Sequence, residues 1–404
     1  MNRGFYIILA AQFLSALADN ALLFAAIALL TEMNAPVWHT PLLLQFFVFS
    51  YIILAPYVGS IADAFPKGNV MFASNGIKFF GSMCMLLGMQ PLYAYGIVGI
   101  GAAAYSPAKY GILTEYLPAK DLVVANGWME GTTVGAIILG AIIGGMLAHN
   151  NPHTAMIIIT LLYIAAAAFN YYIPKLDIKR SFLQKNPWLI LKDFWHSFIV
   201  LWCDKLGQVS LSVTTLFWGA GATLRLLVIV WAASALNYNL EQSTQLTAIV
   251  AIGIAIGSVL AARFIKIEES TKVLPAGIVM GILMLLMIII HDVFFASILM
   301  VAIGILSGYF VVPLNALLQH RGHELIGAGH SIAVQNFNEN LGILVMTGVY
   351  GYMLSAKVTF NVSLPVVGHI YSFSGINTII LAFGLFISIS MYLITRFYKD
   401  AEYQ

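Results

Sequence analysis

The sequence predicts an all-α membrane protein of twelve transmembrane helices in two six-helix bundles, and three observations carry that reading. Hydrophobic residues make up 60% of the 404 positions and charged residues only 9%, against roughly a quarter charged in a soluble domain. The apolar residues fall into twelve long runs, and a hydrocarbon core about 30 Å thick needs about 20 apolar residues per helical crossing. The runs are too long for barrel strands of about ten residues and do not alternate in polarity, which leaves helices. Third, the basic residues collect on one side of that array.

In chain order the expected spans are 5–31, 42–63, 70–90, 92–114, 124–148, 153–174, 212–236, 243–265, 273–291, 293–318, 327–354 and 371–395. The first is too long for a cleavable leader and runs directly into the second, so it is read as a span. The fourth and tenth contain Pro107 and Pro313, and the fifth is lined with Gly135, Gly140, Gly144 and Gly145, small residues that let helices approach closely in a bilayer. Even-numbered connections carry Lys67, Lys120, the six cations from Lys175 to Lys205, Arg263, Lys266, Lys272 and Arg321, and the termini carry Arg3, Arg396 and Lys399. The odd connections hold Lys357. The positive-inside rule therefore places both termini in the cytoplasm. A net charge of +2 is too small to argue for a nucleic-acid partner.

An internal repeat of about two hundred residues divides the chain. Gly59-Ser60-Ile61-Ala62-Asp63 matches Gly257-Ser258-Val259-Leu260-Ala261, and YSPAKYGILTEY (105–116) matches FVVPLNALLQHR (310–321) with Pro107 over Pro313. The expected organisation is an N-terminal bundle over 1–174, a cytoplasmic amphipathic connector over 175–211 and a C-terminal bundle over 212–404. Parallel halves of this kind mark the major facilitator fold. The connector mixes Lys and Arg with Trp188, Phe194, Trp195, Phe198 and Trp202. That is the pattern of a helix lying on the cytoplasmic leaflet, either as a lipid- or partner-binding element or as a tether.

Charge within a span requires a partner or a wet cavity. Extending the second repeat offset places Asp19, with Asn20 beside it, opposite Arg225, so the expectation is an ion pair across the cavity. It is read either as a gate that opens for substrate or as a static packing pair. Lys109 follows Pro107 and is read either as a second cation for an anionic phosphate or as a snorkelling surface lysine. Lys78 is expected to snorkel or to pair with an acid. Glu130 and the tract holding Gln335, Asn336, Asn338, Glu339 and Asn340 are too polar to face lipid. Headgroup binding, ion coupling and interhelical hydrogen bonding are the roles open to them. Asp63 and Lys67 form a partial cytoplasmic gate motif, with Ala261 where the second half would need its acid.

Cys84 and Cys203 are too scattered for a disulfide framework or a metal site, and no catalytic residue, metal or cofactor is expected. There is no Gly-Lys-Ser/Thr phosphate loop, and none of the nine histidines is followed five residues later by an aspartate.

The segments QFLSALADNALLF (12–24), GAAAYSPAKYGIL (101–113), SVTTLFWGAGATLR (212–225), VVPLNALLQHRG (311–322) and GAGHSIAVQNFNEN (327–340) closely resemble the bacterial lysophospholipid transporter family of the major facilitator superfamily. The resemblance implies a flippase of the inner membrane that moves lysophosphatidylethanolamine and lysophosphatidylglycerol to the cytoplasmic leaflet. It also implies functional coupling to an acyltransferase/acyl carrier protein synthetase on that side. Monomeric function is the superfamily default. On that reading Arg225 and Lys109 serve the phosphate, Asp19 meets an ammonium or exchanges with Arg225, and Phe13, Phe24 and Trp218 wall the acyl chain. The alternative is an ion-coupled facilitator of a small organic anion that uses Asp19, Glu130 or Glu339 as its ion site. A membrane acyltransferase or a non-transporting lipid sensor is the rival of another class.

Overall fold

The computed structural model describes residues 3–116, 122–173, 186–326, 328–357, 364–366, 369–371 and 375–402. Side chains at some positions inside these ranges, Asp63 and Glu130 among them, lie outside the described set. The helices are α1 (Arg3–Glu32), α2 (His39–Ala64), α3 (Lys67–Leu86), α4 (Pro91–Tyr116), α5 (Leu122–Asn150), α6 (Pro152–Tyr171), α7 (Pro187–Cys203), α8 (Lys205–Ala235), α9 (Leu240–Phe264), α10 (Leu274–Leu285), α11 (Val293–Ile326), α12 (Ala328–Ser355) and α13 (Ile376–Glu402). All but α7 correspond to the twelve expected spans. Among the described residues nine helical segments are long and apolar enough to cross a membrane by length and composition. The crossing helices outside that set are α3, α4 and α12, which carry Lys78, Lys109 and the Gln335–Asn340 tract.

Local chemistry sets the ends. Asn151 caps α6 by accepting from the Thr154 amide at 2.9 Å, and Pro152 follows at the first helical position. Asn186 and Pro187 do the same for α7. Asn239 and Gln242 make a reciprocal capping box on α9, which satisfies two amides that have no partner inside the helix. Asn34 and Asn237 adopt left-handed backbone at φ 52° and 55°, the conformation that most cheaply turns a chain sharply after a helix. Both turns lie on the far face, opposite the face that holds the two chain ends.

Packing reproduces the repeat. In the first half α1 packs on α5 and α6, α2 on α4, and α3 on α4 and α6. In the second half α8 packs on α12 and α13, α9 on α11, and α10 on α11 and α13. The halves meet chiefly through α2 with α12 and α5 with α9. An operation that takes α2 to α9 also takes α12 to α5, so these two seams are related by one pseudo-two-fold axis along the membrane normal. Outward faces carry exposed Phe80, Leu161, Ile298 and Leu393, the surface that lipid solvates rather than water.

Both seams are tight at the far face. A side chain at Gly145 of α5 would collide with Thr244 of α9, and a Cβ at Gly351 of α12 would stand 3.1 Å from the ring of Pro41 of α2. The helices touch there because those positions lack a side chain.

Three details differ from the sequence expectation. Helix α8 begins at Lys205 rather than near 212, because Asp204 caps it by accepting from the Gly207 amide at 2.9 Å. The ninth span is divided, with α10 flanked by short 3-10 turns at Ile267–Val273 and Leu286–Ile288. A two-stranded antiparallel hairpin, β1 (Leu364–Val366) and β2 (His369–Tyr371), precedes α13, so the last span starts at Ile376 rather than 371. The amphipathic connector helix is present as α7. It buries Phe194 and Leu201 against Leu318 and Val334, with Phe337 of α12 meeting Phe194 and Phe198 edge-on.

Candidate functional site

A cavity of about 650 Å³ lies between the halves. The first half lines it with Asp19, Asn20, Tyr51, Tyr95 and Thr133, and the second with Trp218, Arg225, Asn315, Gln335, Asn336 and Glu339. Between these polar groups the wall is apolar, with Phe47, Ile137, Val228 and Met284. Eight of the residues singled out from sequence (Asp19, Asn20, Trp218, Arg225, Gln335, Asn336, Glu339 and Asn340) are thus brought to one surface.

The expected pairing of Asp19 with Arg225 is not the one that forms. Asp19 accepts from Lys78 Nζ at 2.6 Å and from the Tyr163 hydroxyl at 2.8 Å. Lys78 also donates to Ser15 at 3.0 Å, and Ser15 donates to Asn75 at 2.7 Å. The ammonium lies 4.7 Å from the centre of the Tyr105 ring. Lys78 is 1% exposed and stands about 16 Å of helix rise from the start of α3, beyond snorkelling reach. An ammonium so buried is tolerated only beside a counterion, and Asp19 supplies it. The partner was legible only as one of two outcomes for Lys78. Nothing in the sequence pointed to Tyr163.

Arg225 meets the residue next to Asp19 instead. Its Nη1 donates to Asn20 Oδ1 at 3.3 Å, and the guanidinium stacks 4.7 Å from the ring centre of Phe24. Its Nη2 is buried and has no hydrogen-bond partner among the described residues. Phe24, expected as an acyl-chain wall, is fully buried behind the arginine. Trp218 lines the cavity, whereas Phe13 is not among its lining residues.

Lys109 is buried and donates to Thr133 at 3.2 Å rather than reaching the surface. Gln12 donates to the same hydroxyl, so this lysine belongs to the α1–α4–α5 contact. Across the cavity Gln335 bridges Asn315 and Glu339, donating to the carboxylate at 2.7 Å. Asn338 turns away and accepts from Trp202 of α7 at 3.1 Å, which ties the connector to the helix that carries the polar tract.

At the face holding the chain ends, Lys67 is buried and donates to the Ala62 carbonyl at 3.4 Å. Its expected gate partner Asp63, like Glu130 in α5, has a side chain outside the described residues. A pair the sequence reading missed stands in the second half. Arg321 grips Asp204 through Nε at 3.0 Å and Nη2 at 2.8 Å and reaches Glu324 at 3.2 Å. Hydrogen bonding from Arg321 holds the Asp204 carboxyl below the usual carboxylate range, and Asp204 in turn pushes the guanidinium higher. The available signal was an Asp three residues before a glycine at a helix start, which reads as a cap and does not reveal a partner 117 residues away.

A largely apolar cavity between two six-helix bundles, with polar groups facing each other across it, is the working part of a membrane transporter. The family model described as Major Facilitator Superfamily matches residues 8–347. A protein of Yersinia enterocolitica named lysophospholipid transporter LplT is 45% identical over 359 residues, 89% of each chain. A Serratia proteamaculans protein of the same name is 45% identical over 89% of this chain and 90% of its own. The crystal structure of the nucleoside transporter NupG superposes with a TM-score of 0.75 over 98% of this chain and 100% of that one, at 13% identity, a likeness of fold. The chain belongs to the lysophospholipid transporter family of the major facilitator superfamily.

Proposed function

We propose that the protein is a flippase that moves lysophospholipids, lysophosphatidylethanolamine and lysophosphatidylglycerol, across the bacterial inner membrane to the cytoplasmic leaflet. The observation that carries the reading is the buried Arg225 Nη2 without a partner, on a cavity wall otherwise largely apolar. A phosphate oxygen satisfies that donor, and guanidinium is the group that binds phosphate in planar, bidentate fashion. The apolar wall accepts a single acyl chain. The names of the relatives from Yersinia and Serratia support the same cargo. The placement of basic residues supports a cytoplasmic location for both termini, and release on that side delivers the cargo to the cytoplasmic leaflet. There an acyltransferase/acyl carrier protein synthetase reacylates it. The chain acts as a carrier rather than an enzyme, and as a monomer.

The test is leaflet transfer of labelled lysophosphatidylethanolamine in proteoliposomes, with and without ion gradients. Protein-dependent transfer is expected, and Arg225→Ala should slow it at least about 30-fold, as for truncation of one partner of a desolvated charge pair. Absence of transfer by the unaltered protein overturns the lipid assignment. Loss of transfer on adding ionophores favours the ion-coupled alternative, for which the buried carboxyl of Glu339 is the candidate site.

A further inference from the structure

A second cavity of about 780 Å³ lies between the halves at the far face. Its apolar walls include Ile27, Leu226 and Ile229. Its charge is one-sided, because among the described residues lining it Glu32 carries the one carboxylate and there is no lysine or arginine. Two imidazole rings rather than permanent cations stand nearby, His149 in the cavity wall beside Asn239 and His153 with Nε2 3.7 Å from Glu32. Tyr350 and Ser243 line the same cavity, each at most 1% exposed. Their hydroxyls are buried with no hydrogen-bond partner among the described residues, and buried polar groups of native proteins ordinarily find one.

This cavity stands directly above the central one. Leu226 and Ile229 of α8 face it, while Arg225 and Val228 face the central cavity, so the partition is about one helical turn thick. Phe24 and Leu227, both fully buried, occupy it. Along α1 the two acids Asp19 and Glu32 are thirteen residues apart, a rise of about 20 Å, so one headgroup cannot engage both levels at once.

We infer that the far-face cavity is a reception site for an amine-headed, single-chain amphiphile, held before it passes to the central cavity. Glu32 takes the ammonium, the Tyr350 and Ser243 hydroxyls donate to phosphate oxygens, and the chain lies along Ile27, Leu226 and Ile229. An amphiphile with a glycerol head brings its phosphate near Glu32 with no compensating cation, so the site discriminates between headgroups that the Arg225 level treats alike. The inference rests on the lysophospholipid reading, and its test separates the two.

The test uses the full chain in lipid nanodiscs with Cys84→Ala and Cys203→Ala, and with Ala233→Cys as reporter, since Ala233 is exposed and lines the cavity. Lysophosphatidylethanolamine should slow labelling by a membrane-impermeant maleimide at about fivefold lower concentration than lysophosphatidylglycerol, the size of one partly exposed ion pair. Glu32→Gln should abolish that preference. Equal protection by both lipids, no protection by either, or a preference that survives Glu32→Gln overturns the site. Headgroup-selective protection in a protein that moves no lipid would instead keep the site and refute the transport reading.

Discussion

At the residue scale the central finding is an exchange of partners. Asp19 and Arg225 reach one cavity from equivalent positions of the two halves, yet they do not pair: Lys78 and Tyr163 satisfy Asp19, while Arg225 meets Asn20 and Phe24 and keeps Nη2 without a partner among the described residues. Intramembrane charge was legible from sequence, because an apolar run makes each charge conspicuous. The pairing was not, because the repeat offset gives a position along a helix and not a direction around it. Lys78 is buried while Asp19 keeps 22% of its side chain exposed to the cavity, so removing the acid strands the ammonium. Asp19→Leu or Lys78→Met alone should destabilise the protein by about 3–5 kcal/mol, and the double substitution should recover most of that loss. Thermal unfolding of the three variants in detergent measures it, and additive losses would show that the two charges do not depend on each other.

At the scale of elements, caps and clips hold the helices to one another. The Asp204–Arg321 clip ties the start of α8 to the end of α11 and also caps α8. Because the folded state holds the Asp204 carboxyl below its ordinary value, its contribution is fully present above the unfolded value near about 4 and is lost as pH falls through the depressed one. Arg321→Ala should therefore be less stable than the unaltered protein by about 1 kcal/mol at neutral pH. The gap should close as the pH is lowered below that value, which denaturation at a series of pH values would show; a pH-independent gap would place the effect in packing instead. The connector illustrates the division between sequence and structure at this scale. Its aromatic and basic composition announced an interfacial helix, but its docking through Trp202 onto Asn338 and through Phe194 and Phe198 onto Phe337 depends on which side of α12 faces it. That side is fixed only when α12 packs against α2 and α8.

At the scale of the whole molecule, the two seams at the far face decide which side of the cavity is shut. Gly145→Leu inserts a side chain where α5 meets Thr244 of α9, an overpacking that costs about 1–3 kcal/mol in a close-packed interior. It should bias the protein toward a form open at the far face, raising maleimide labelling of Leu227→Cys, a fully buried position in the partition, about tenfold while slowing leaflet transfer. Unchanged labelling would mean that this seam does not gate the far face. The sequence by itself determined the number of crossings, the two-fold repeat, the sidedness of charge and the polar residues that a membrane does not tolerate facing lipid. The crossings and the conspicuous polar residues follow from the bilayer's demand that every span be apolar and every backbone polar group be satisfied within it. The sidedness follows from the positive-inside rule, and the repeat from matching segments about two hundred residues apart. Only the tertiary structure decided that Lys78 rather than Arg225 neutralises Asp19, that one guanidinium nitrogen is left for cargo, and that a second cavity lined by one acid stands above the first. Those outcomes depend on the rotation of each helix about its own axis, and interhelical packing sets that rotation, while the hydrophobic length that the bilayer selects leaves it free.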